Sequence, residues 1–254
     1  MPLKASQMGG RIPGPVRVTL EAGMGQIDTD SKAFFHHATG DKPEGPSVGM
    51  SLLIKKILTA PAAVSTTAFI STGLTGAGKI ANTNTITLAR GAAWDGAIGA
   101  AGKPDFARNV VVTVTHATSV VAMTVVVSGV DIWGNAITES ISIAATGTTQ
   151  TGTGLKAFYR VDSIAMTAVG NAEANTLTLG TGQVFGLDFL NPIPSLVTEM
   201  IDTTLVTTGT TVAGVITSTA DKRGTYSPAT APNATHSWTI WYICDDPTLV
   251  NKVS

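Results

Sequence analysis

The chain has 254 residues, of which 13% are charged, 43% are hydrophobic and 39 are threonine, and its formal net charge is −1. Its charged fraction is about half the roughly 25% usual for soluble domains, and the few lysines and arginines are scattered, which argues against electrostatic binding to nucleic acid. A chain of this length buries a sizeable core without metal or disulfide staples, and the single Cys244 has no second cysteine to bridge.

Residues 1–50 are rich in glycine and proline and hold one short strand pattern, Val16 to Glu21. This segment reads as an extended arm, because it cannot bury enough surface by itself to offset its backbone entropy. Arg11, Val16, Val18, Leu20, Phe34 and Phe35 are its candidate partner-binding residues. The Met1 to Ser6 start has no apolar run of a secretory type, and no stretch of about 18 apolar residues occurs, so assembly in a cytoplasm without a membrane is expected.

Residues 51–254 are expected to form the body. Met50 to Leu58 suits a short helix or a buried strand equally well. Beyond Ala62, short apolar or alternating runs are broken by Gly, Asn, Asp and Thr clusters, the pattern of a sandwich or barrel. Strands are expected at Ile80 to Leu88, Asn109 to Thr115, Val120 to Ser128, Ala136 to Ile143, Ala157 to Ala168, Asn175 to Leu179, Val184 to Phe189, Leu196 to Val206, Thr211 to Ser218 and Ser237 to Cys244. Threonine favours such surfaces, since it offers a methyl to a packed face and a hydroxyl to a wet one. Gly129 to Asn135 supplies the turn of a hairpin, while Gly91 to Pro104 and Asp221 to Asn233 read as loops. The runs starting at Asn84 and Asn175 share five of eight residues, which leaves room for two related β subunits. In the last strand Trp238 and Tyr242 share one face and Trp241 the other, so at least one aromatic is buried.

No spelling of an active site is complete. Gly73 to Lys79 resembles a phosphate-cradling loop, but Ile80 stands where a hydroxyl must hold magnesium, and a strand pattern follows in place of a helix. Gly45 to Gly49 spells a nucleophile elbow around Ser47 without the preceding strand, and nothing places His116 or His236 beside it. Asp28 to Ala33 loses a calcium ligand and the turn glycine, and His36 and His37 are adjacent rather than spaced for one metal. Asp245 and Asp246 end a strand, and Asn233-Ala234-Thr235 lacks the secretory context of a glycosylation site. No catalytic residue, metal or cofactor is therefore expected.

Val125 to Glu139, with its Gly-x-Asp-x-x-Gly-Asn turn, resembles a pattern of tailed-bacteriophage virion proteins, in which Lys156 to Ile164 would be the next strand. Asp221 to Pro228 is similar to a further loop of such capsid-associated proteins. The resemblance spans about a third of the chain and implies a structural role with no catalysis. For a decoration or cement protein it implies an all-β, antiparallel β-sandwich or jelly-roll-like body with an extended arm, forming a homotrimer or other homo-oligomer on the major capsid protein at the virion surface. The alternative is a tail, fibre or head-spike component that binds a host receptor or glycan, with Trp94 and Trp133 as loop-borne anchors.

Overall fold

The computed structural model describes residues 52–74, 86–92, 94–120, 122–168, 176–191, 196–206, 209–215 and 221–244. The arm with its candidates Arg11 to Phe35, Ser47, both adjacent histidines, most of the phosphate-loop spelling and Asp245-Asp246 lie outside these residues.

The described chain is all-β. Its strands are β1 (Leu52–Leu58), β2 (Ser65–Leu74), β3 (Ile86–Ala89), β4 (Arg108–Thr115), β5 (Met123–Val130), β6 (Ala136–Ile143) and β7 (Thr149–Thr153). They continue with β8 (Arg160–Ala168), β9 (Thr176–Gly186), β10 (Leu196–Ile201), β11 (Thr204–Val206), β12 (Thr210–Ala213), β13 (Gly224–Ser227) and β14 (Trp238–Cys244). No described helix is long and apolar enough to cross a membrane.

Three antiparallel sheets result. One runs β12-β13-β9-β4-β7 with β2 also on β9, the second β3-β8-β5-β6, and the third β1-β14-β10-β11. Alternation decides which face is packed. In β4, Val110, Val112 and Val114 point into the core while Thr113 and Thr115 point out; in β5, Met123, Val125 and Val127 do the same against Thr124, Val126 and Ser128. Ile137, Ile141 and Ile143 of β6 and Val161, Ile164 and Met166 of β8 complete the second inner face. The first two sheets thus close over one core. The chain leaves β6 in the second sheet and enters β7, which pairs with β4 in the first, so the layers curl into a half-barrel.

The third sheet has its own core, formed by Leu58, Trp238, Ile240 and Tyr242 against Phe185, Leu187 and Tyr226. Strand β9 therefore serves both cores, with Leu177 and Leu179 in the first and Phe185 in the second. As expected from alternation, Trp238 and Tyr242 are fully buried, whereas Trp241 lies on the outer face beneath the Lys55 ammonium, 5.5 Å from the ring centroid.

Several boundaries differ from expectation. Asn175 to Leu179 and Val184 to Phe189 belong to one eleven-residue strand, because Gly180 is not a turn. A Cβ there would lie 1.8 Å from the Ser65 carbonyl oxygen, so this glycine admits the close approach of β2. Leu196 to Val206 is two strands joined at Asp202, whose φ is +54°. β2 went unread because a bulge puts Phe69 and Ile70 side by side in the core, and β7 because it carries no apolar residue. The expected loop Asp221 to Asn233 contains β13. Asn84 and Asn175 lie outside the described residues, and the strands that follow them, β3 and β9, sit in different sheets.

Gly224 opens β13 at φ +99°, and a Cβ there would lie 2.4 Å from the Val212 carbonyl oxygen. Gly224→Ala should therefore lower stability by about 1–3 kcal/mol from backbone strain, with further loss from the clash, read as an earlier urea midpoint.

Candidate interaction site around the 131–135 turn

The β5–β6 hairpin turns at Asp131 to Asn135. Asp131 is 4% exposed, and its Oδ1 accepts the backbone amides of Trp133 (2.8 Å) and Asn135 (3.0 Å). This Asx geometry explains the aspartate and asparagine of the motif, since the carboxylate satisfies donors that the turn leaves over. Its second oxygen accepts from Nη1 of Arg223, a buried side chain delivered by the segment before β13.

The Arg223 guanidinium also lies 5.6 Å from the centre of the Trp133 ring, and its Nε and Nη2 have no hydrogen-bond partner among the described residues. Trp133 is held from three sides. Its Nε1 donates to the Asp188 carbonyl (2.8 Å), its ring meets Phe189 edge-on at 6.2 Å, and Arg223 stacks on it, yet 47% of it remains exposed. Asp188 in turn accepts from Lys56 Nζ at 2.5 Å, which ties the turn to β1 of the third sheet.

A second polar knot adjoins this one. Glu139 of β6 accepts the backbone amides of Leu155 and Lys156, and Lys156 Nζ donates to the Thr138 carbonyl at 2.8 Å. Asp221 accepts the amides of Ala157 (3.0 Å), Arg223 (3.0 Å) and Gly224 (3.2 Å). Thus residues 125–139, 156–164 and 221–228, separate in sequence, meet at one junction.

The carboxyls there differ in proton affinity. Burial pushes Asp221 up against the pull of its three backbone amides and Arg223, and burial likewise raises Glu139, with Asp221 adding to the rise. Burial acts upward on Asp131 too, but hydrogen bonds from Arg223 and Asn135 outweigh it and hold this carboxyl below its ordinary value. The two raised groups bind protons in the folded state before the unfolded chain does. Stability from them therefore grows as pH falls from neutral toward the ordinary carboxylate range. Asp131 has the opposite sign: its contribution is present above the ordinary carboxylate pKa and is lost as pH falls through its lowered value. Acidification should first raise and then lower the urea midpoint, and Glu139→Gln with Asp221→Asn should flatten the rise while leaving the fall.

Among the sequence-predicted binding residues, Trp133 is exposed at this junction. Trp94 is not an exposed loop anchor: it is 2% exposed and packs edge-on against Phe69 at 6.0 Å in the main core. The Gly91 to Pro104 loop folds inward there, with Gly96 and Ile98 donating to the carbonyls of Phe69 and Ala68, so its aromatic fills the sandwich and shields the β2 edge. Lys56, Asp188 and Phe189, which fix Trp133, escaped sequence reading because their partners lie 55 or more residues away. No group of three or more metal-ligating side chains occurs among the described residues.

Comparison of the chain with family models, curated proteins and solved structures finds no match.

Proposed function

We propose that the chain is a structural protein of a tailed-phage particle that binds the outside of the capsid and stabilises it. The observation that carries this reading is the convergence of the three segments bearing the virion-protein resemblance on one junction, whose rigid, half-exposed Trp133 is suited to anchor a protein partner. The neutral, threonine-rich outer faces of β4 and β7 favour contact with protein over polyanions. On this reading the partner is the major capsid protein, the chain acts as a homotrimer or other homo-oligomer, and no catalysis is required.

Cementing then follows mass action, since a ligand that prefers the assembled lattice stabilises it by its differential affinity, multiplied over many copies. Co-sedimentation with empty shells of the major capsid protein tests this. The chain should pellet with shells, Trp133→Ala should weaken attachment by roughly tenfold or more as a lost aromatic anchor does, and attachment should change little between low and moderate salt. Failure to pellet, or steep loss with salt, would count against the reading.

A further inference from the structure

Away from the 131–135 junction, a cleft of about 320 Å³ opens between residues 62–71 and residues 94–108. Its floor includes Arg108, which is 1% exposed and is held by three bonds: Nε to the Gly182 carbonyl (2.9 Å), and Nη1 to the Ala62 carbonyl (2.8 Å) and Asp105 Oδ1 (3.2 Å). The guanidinium lies 4.9 Å from the Phe185 ring centre, and its Nη2 is buried with no hydrogen-bond partner among the described residues. A buried cationic donor left unpaired is costly, so this floor is built to receive an acceptor.

The rest of the lining sets the ligand class. The carboxylates of Asp95 and Asp105 outnumber the one guanidinium, so the cleft disfavours anions. Thr67 and Ser71 add exposed hydroxyls at the rim, while Ala68, Ile98 and Pro104 offer an apolar wall. Carboxylate acceptors, a guanidinium donor and hydroxyls around a small apolar wall match a molecule with several hydroxyls and a C–H face. The volume is at the lower end of small-molecule pockets. We infer that this cleft binds a neutral sugar residue.

The test uses saturation-transfer NMR on the full chain with methyl α-glucoside, methyl α-mannoside, methyl β-galactoside and N-acetylglucosamine, with glucuronate and inorganic phosphate as charged comparators. At least one neutral sugar should bind with Kd on the order of 1 mM, as befits a small ligand in a shallow site. Ala97→Trp, which fills the exposed rim, and Asp95→Asn, which removes a carboxylate yet keeps the oxygen that accepts the Ser71 amide, should each weaken binding roughly tenfold or more. Melting midpoints should stay unchanged, and should Ala97→Trp melt early, Asp95→Asn decides. The inference is overturned by no transfer to any of the four neutral sugars, by binding that Asp95→Asn leaves intact, or by tighter binding of glucuronate or phosphate. Shell attachment is read separately, so either result leaves the capsid reading to its own experiment.

Discussion

Asp131→Ala should cost about 3–5 kcal/mol of unfolding free energy, because it strands the Arg223 charge in a site where that side chain is 2% exposed. The loss has two parts. The Asx turn also forfeits the acceptor of the Trp133 and Asn135 amides, so the turn itself loosens. Asp131→Asn separates them: an asparagine oxygen still accepts the turn amides, but no charge faces Arg223. It should therefore fall between wild type and alanine, and pairing Asp131→Asn with Arg223→Met should recover part of the loss, as removal of both members of a buried pair does. Urea melts of the four chains measure this. Equal stability of Asp131→Ala and wild type would show that the pair does not hold the junction.

Glu199→Ala should produce the second large effect, about 2–4 kcal/mol, from unsatisfied buried partners. Glu199 of β10 is 1% exposed, and its two oxygens accept from the Tyr226 hydroxyl (2.6 Å) and the Gly209 amide (2.6 Å). It bridges the third sheet to β13 of the first. Burial and this carboxylate together raise the Tyr226 hydroxyl far above its usual range, so the phenol stays protonated as the donor. Tyr226→Phe should cost less than Glu199→Ala, since it leaves only one oxygen of Glu199 short of one donor. In the background of Tyr226→Phe, Glu199→Ala should cost less than it does alone. Additive losses would mean that the two side chains do not act as a pair.

Alternation made the sandwich legible where residues face core and solvent in turn. Val110 to Thr115 and Met123 to Ser128 declare their inner and outer faces, and the structure pairs them with β9 and β6 as antiparallel neighbours. Strands without that signature stayed hidden, as Thr149–Thr153 did, because an edge strand over a threonine-lined face has no apolar side to reveal it. The site was half legible. The motif marked Asp131 and Trp133, and the Asp221 to Pro228 loop held Arg223, but no local pattern announces that Arg223 reaches Asp131 across 92 positions. The same limit misplaced Trp94, whose Gly-Ala surroundings suggest an exposed loop although long-range bonds to β2 draw it into the core.

A density map of the purified virion, fine enough to trace this chain, tests the proposed role most directly. The β body should lie on the outer capsid surface with Trp133 against the major capsid protein. Finding the chain in the tail, or nowhere in the particle, would contradict that role.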